Sequence, residues 1–120
     1  TRPFSEEVPL QEELDRVVPV IEALSRAVQV PISIDTCKAE VARQALKAGA
    51  SIINDISALR FDPDIISVAA KAGVPVILMH MQGTPGKMHI DPTYQTLIPE
   101  IVDFLKQAAF GDTHETGVGL

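Results

Sequence analysis

Two ten-residue stretches of this chain, LKAGASIIND at 46–55 and AKAGVPVILM at 70–79, align without a gap. Each reads as the end of a helix, an Ala-Gly turn and an apolar run. A glycine just past the last helical residue closes a helix. A short apolar run bounded by turn residues suits a strand covered on both faces. Strands that alternate with helices of this length form βαβ units, and their crossovers make the strands parallel. The repeat therefore restricts the chain to an α/β fold built on a parallel sheet.

The remaining elements follow from the same signals. Thr1–Pro9 reads as a loop, with Ser5 or Glu6 as a candidate helix start. Leu10, Leu14, Val17, Ile21, Leu24 and Val28 recur at three- and four-residue steps, the spacing of one helical face over residues 10–28. Pro19 falls inside that helix and is expected to kink it or to restart it. Val30–Asp35 is the first expected strand, and Lys38–Ala48 a helix with Val41, Ala45 and Leu46 inward and Gly49 after it. Ser51–Asn54 is the second strand. Asp62 is expected to cap a helix with Pro63 in its first position, running to Ala72 and closed by Gly73. Val74–Met79 is the third strand, Gln82–Pro92 a loop, and Tyr94–Ala108 a helix burying Leu97, Ile101, Phe104 and Leu105. Residues 111–120 carry no usable period. Three strands cannot close a barrel, so the chain is one domain that is either a small open α/β sheet or part of a (β/α)8 barrel, which takes about 250 residues when complete.

The chemistry is expected at the strand ends. Ser33-Ile34-Asp35-Thr36 ends the first strand, Asn54-Asp55-Ile56-Ser57 the second and Met79-His80-Met81-Gln82 the third. Carboxyl ends of parallel strands lie side by side, so Asp35, Asn54 and the 79–82 region would line one concave site. A carboxylate beside a carboxamide matches the donor–acceptor edge of a nitrogen heterocycle. The competing reading is that Asp35 and Asp55 cap the helices that follow them. The inward sheet face would carry Ile32, Ile34, Ile52 and the Val74–Met79 strand.

Other residues suggest less. His80 has no second histidine at ligand spacing, which argues against zinc and for a histidine bonded within its own loop. Cys37, the single cysteine, reads as a packed small hydrophobe and suits a reducing compartment such as the cytoplasm. A net charge of −6 argues against nucleic acid or an anionic membrane as partner. No apolar run approaches the ~20 residues of a membrane span.

Thr1-Arg2-Pro3, Ser33-Ile34-Asp35-Thr36, Ile53-Asn54-Asp55 and above all Met79-His80-Met81-Gln82-Gly83-Thr84-Pro85, followed by Met88, occur in one order across residues 1 to about 105. In this the chain resembles the dihydropteroate synthase family. The resemblance implies a partial (β/α)8 TIM barrel covering roughly strands 3 to 5. It implies condensation of 6-hydroxymethyl-7,8-dihydropterin pyrophosphate with p-aminobenzoate, giving 7,8-dihydropteroate and pyrophosphate, with Mg2+ held by ligands outside this segment. Asp35 and Asn54 would hold the pterin edge, Ile56 and Met79 would pack on its ring, and Thr1 and Arg2 would belong to a mobile loop over the other substrate groups. Asp35 would also stabilise the positive charge that develops as pyrophosphate leaves before the amine attacks. The full-length enzyme would be a homodimer.

Some residues depart from the family pattern. Phe4 stands where glycine usually follows Thr-Arg-Pro, and Gly86-Lys87 where a basic residue and threonine are common. The family's strand 1 loop and its strand 6, 7 and 8 site residues find no counterpart, so the 120 residues alone are expected to be inactive. Two alternatives stand beside this reading. One is a methyltetrahydrofolate corrinoid methyltransferase-type barrel, which fits Asp35 and Asn54 but not the Met-His-Met-Gln-Gly loop. The other is a non-catalytic half-barrel.

Overall fold

A computed structural model describes residues 6–110 of the chain. Its elements are α1 (Leu10–Ala27), β1 (Ser33–Asp35), α2 (Ala39–Ala48), β2 (Ile52–Asp55), α3 (Asp64–Ala72), β3 (Val76–Leu78) and α4 (Leu97–Phe110). The strands form one parallel sheet in the order β1-β2-β3, as the alternation of helices and strands predicts.

The strands are shorter than the apolar runs that carry them. Pro31 and Pro75 lie at the start of the first and third runs and have no N–H to give to a ladder. Their neighbourhood still contributes acceptors: Ser51 N donates to Ile32 O at 2.9 Å, and Ile53 N to Pro75 O at 3.1 Å. Helix α1 begins after Pro9 rather than at Glu6, Ser5 lying outside the described residues, and it continues through Pro19 as one element.

Ile34 and Ile53 stand side by side in the register and are buried, at 4% and 0% exposure. They meet Val41, Ala42 and Ala45 of α2, Ile65, Val68 and Ala69 of α3, and Ile21 of α1 in one core. Alanines on α2 and α3 let the helices sit close to the sheet. At Gly49, which follows α2 with φ 120°, a Cβ would lie 2.5 Å from Ser25 Cβ, so the close approach of α1 permits glycine alone.

This packing corrects the expected inward face. Ile34 faces the helices, and Ile32 packs against the same core. Alternation places Ser33, Asp35, Ile52, Asn54 and Ile77 on the opposite face, which is open; Ser33, Asp35 and Ile77 are exposed. Helix α4 is corrected as well. It buries no residue fully: Leu97 is exposed, and Ile101, Phe104 and Leu105 are half-buried. Among the described residues the helix touches the rest of the fold chiefly at β3, and no second layer covers its apolar stripe.

Candidate functional site

The register sets Asp35 beside Asn54 and Asn54 beside Ile77 on the open face. The ladder runs one residue further, with Thr36 N donating to Asn54 O at 3.1 Å and Met79 N to Asp55 O at 3.4 Å. Asp35, Asn54 and Met79 therefore lie at the same, carboxyl end of the sheet. Alternation continued from Ile77 puts Met79 on the face of Asp35 and Asn54. Ile56 is buried, with 7% of its surface exposed.

A cleft of about 870 Å³ opens above this end of the sheet. Its walls include Asp35, Thr36, Ile56, Arg60, Thr84 and Pro85, and Glu6 to Val8 close one side. Asn54 and Met79 do not line it; they stand on the open sheet face. Thr1 and Arg2 lie outside the described residues.

The segment after β1 is fixed by a half-buried ion pair. Lys38 Nζ donates to Glu13 Oε2 at 2.6 Å and to Val8 O at 2.8 Å, and Thr36 Oγ1 donates to Glu13 Oε1 at 2.6 Å. Glu13 thus ties the first turns of α1 to the residues next to Asp35. Sequence reasoning missed this role, because an acidic residue in a first helical turn looks like ordinary helix-dipole chemistry.

Of the aspartates considered as helix caps, Asp62 serves helix ends and Asp55 does not. The amino ends of both helices converge on Asp62, whose Oδ2 accepts from Ala39 N at 2.7 Å and whose Oδ1 accepts from Asp64 N at 3.2 Å. Thr36 Oγ1 accepts from Lys38 N at the start of α2. Asp55 does not cap α3. Its fully buried carboxylate organises the turn after β2, accepting from Ser57 N at 2.8 Å, Ser57 Oγ at 2.7 Å and Leu59 N at 2.9 Å. The Asp-x-Ser spacing is a sequence signal for such a turn.

Cys37 sits against the same carboxylate. Burial, then the hydrogen bond and charge of Asp55, push its thiol up to about 12, so it stays protonated and is no nucleophile.

The third strand end is a closed loop. Gln82 bonds the backbone of Thr93 in both directions, Nε2 to Thr93 O at 2.7 Å and Thr93 N to Oε1 at 3.1 Å. Met81 is buried at 5% exposure. His80 packs on the rings of Phe104, at 4.7 Å, and Tyr94, at 5.8 Å, rather than through the hydrogen bond expected within its own loop. Arg60 crosses from the β2 turn, donating to Ser57 O at 2.9 Å and Gly83 O at 3.3 Å, with its guanidinium 5.0 Å from the Phe104 centroid. These contacts explain the residue types of the Met-His-Met-Gln-Gly run: they seat a loop that presents Thr84 and Pro85 to the cleft.

Among the described residues no group of three or more His, Cys, Asp or Glu is set to hold a metal ion. Asp55 is already filled by N–H and O–H donors. The described residues do not fit magnesium. No helix among the described residues is long and apolar enough to cross a membrane.

The model of the pterin binding enzyme family matches residues 1–119. A dihydropteroate synthase of Synechocystis is 52% identical over 104 residues, covering 87% of this chain and 36% of the relative. Among solved structures, the Yersinia pestis dihydropteroate synthase in a sulfonamide drug complex superposes with a TM-score of 0.84 at 48% identity, over 89% of this chain and 38% of that one. The Xanthomonas albilineans dihydropteroate synthase with 4-aminobenzoic acid gives 0.81 at 45% identity, over 92% and 38%. The chain thus spans little more than a third of the length of these relatives, and its three-stranded sheet is part of a (β/α)8 barrel. With the family model matched over residues 1–119 and the fold superposed on theirs, this chain belongs to the pterin binding enzyme family.

Proposed function

We propose that the chain is a segment of a dihydropteroate synthase, which joins 6-hydroxymethyl-7,8-dihydropterin pyrophosphate to p-aminobenzoate with release of pyrophosphate. The observation that carries this reading is the register pair Asp35 and Asn54 at the carboxyl ends of β1 and β2, on the open face, next to a cleft walled by Ile56. A carboxylate accepts from ring N–H groups, and a carboxamide both donates and accepts, so the pair suits the polar edge of a pterin. Ile56 and Met79 supply apolar surface for the ring. The 4-aminobenzoic acid and sulfonamide named with the two solved relatives support the second substrate class.

In the mechanism Asp35 acts twice. It orients the pterin by accepting from its N–H groups, and its negative charge stabilises the cation that forms when pyrophosphate departs with the bonding electrons. Asn54 fixes the ring in register with Asp35. Thr1 and Arg2, which lie outside the described residues, would serve the leaving group and the amine, where the Arg2 guanidinium suits an anion. Mg2+, held by residues outside this segment, would neutralise charge on the pyrophosphate. The enzyme acts in the cytoplasm on small molecules, as a homodimer, with neither nucleic acid nor membrane as partner.

The test is pterin binding by calorimetry in the full-length enzyme carrying this segment. Asn54→Ala leaves a buried pterin group unpaired and is expected to weaken binding by about 1–3 kcal/mol. Unchanged affinity removes Asn54 from the site. Residues 1–120 expressed alone are expected to form no dihydropteroate, and turnover by that piece would show that the rest of the barrel is dispensable.

A further inference from the structure

The buried carboxylate of Asp55 has no part in the substrate contacts proposed above, yet the turn it holds adjoins two residues that do. Ser57 follows Ile56, and Asp55 itself follows Asn54. The turn that it closes is strained. Ala58 and Leu59 have φ of 52° and 68°, two consecutive left-handed residues with side chains. Neither is glycine, asparagine or aspartate, the residues that tolerate this region. Ala58 is 2% exposed, so the turn is held inside the structure rather than at its surface. The Leu59 N–H reaches Asp55 Oδ2 and Ala58 N reaches Asp55 O at 3.2 Å, so both strained residues hang on Asp55.

We propose that Asp55 is a positioning residue: its carboxylate holds the left-handed turn after β2 and so sets where Ile56 stands relative to Asn54 and Asp35. The proposal rests on the pterin-site reading above. The carboxylate serves donors on both oxygens, Ser57 on one and Leu59 on the other. Asparagine has the same shape but only one acceptor oxygen, and its NH2 would face a donor on one side. The left-handed turn would lose its restraint, and Ile56 would shift relative to Asn54 on one side and Asp35 on the other. Glycine adopts φ 52° without strain, so Ala58→Gly removes much of the need for the restraint.

The experiment measures pterin affinity, both KM values, kcat and thermal unfolding in the full-length enzyme. Asp55→Asn is expected to weaken pterin binding about tenfold or more, by the penalty of a mismatched buried polar group, with the p-aminobenzoate KM unchanged. Adding Ala58→Gly to Asp55→Asn is expected to recover much of the lost pterin affinity. A purely structural role predicts a lowered unfolding temperature with normal pterin affinity in the folded enzyme, and that result overturns the proposal. So does a double variant with no recovery. If Asp55→Asn fails to fold, Ser57→Ala, which removes the hydroxyl donor to Asp55 Oδ1, is read in the same way: weakened pterin binding supports the restraint, and unchanged binding overturns it. An unaltered enzyme that binds no pterin overturns the functional reading and this inference together, whereas normal binding that survives Asp55→Asn overturns this inference alone.

Discussion

The carboxyl ends of β1 and β2 are built differently from the carboxyl end of β3. The first two are locked from beneath by Ile34 and Ile53 against three helices, and from within by Asp55, Asp62 and Glu13, each of which accepts from two or more groups. The third opens into a loop held by one carboxamide, a stack of rings and an arginine, beside a helix with no fully buried residue. A site that must hold a flat heterocycle in one orientation benefits from the first kind of construction. A loop that presents Thr84 and Pro85 to the cleft can be of the second kind, since few buried contacts leave a region free to open locally. The polar groups that are proposed to read the pterin edge stand on the rigid part.

The largest effect that would test this contrast lies in the shared core. Ile53→Ala is expected to destabilise the fold by about 2–5 kcal/mol, since the side chain is fully buried between sheet and helices. Chemical denaturation would measure it, and a loss under about 1 kcal/mol would show that the β2 end is not rigid in the sense argued. Gln82→Ala is expected to cost less, about 1 kcal/mol, and to act locally. Hydrogen exchange should quicken across 82–93 while β1 and β2 keep their protection; uniform quickening would mean that the loop and the sheet open as one unit. Leu97→Ala, at an exposed position on α4, is expected to stay within about 0.5 kcal/mol. A larger loss would show that α4 is covered in the full-length protein.

The smallest expected effect concerns the start of α4. Glu100 accepts from Thr96 N at 2.7 Å and Gln95 N at 2.9 Å, and the Thr96 backbone bond above all holds its carboxyl below the usual carboxylate range. A carboxyl depressed in the folded state stabilises it above its unfolded pKa, and that contribution fades as pH falls through the folded value. Acidification should therefore fray the first turn of α4 before it disturbs the sheet. Helix content followed by circular dichroism should show a small acid step that Glu100→Gln removes. If the step persists in that variant, another carboxylate governs the helix end.

Much of this protein was determined along the chain. The Ala-Gly turns at 48–49 and 72–73 fixed where α2 and α3 stop, because glycine takes the positive φ that closes a helix. The apolar runs after them fixed a parallel sheet, and polar residues at three strand ends marked the candidate site. What the sequence left open is which side of each strand the helices cover. Strand alternation assigns residues to two faces but not the faces to core or cleft. Packing of α1, α2 and α3 decided that Ile34 is core while Asp35 faces the cleft, and that Asp55 is a buried strut rather than a helix cap. The Thr36–Glu13, Ala39–Asp62 and Gln82–Thr93 bonds join residues that no local pattern pairs. The first two form only when the residues after β1 are brought against α1 and against the residues after β2, and the third only when the loop after β3 folds back on itself, so tertiary structure decided them.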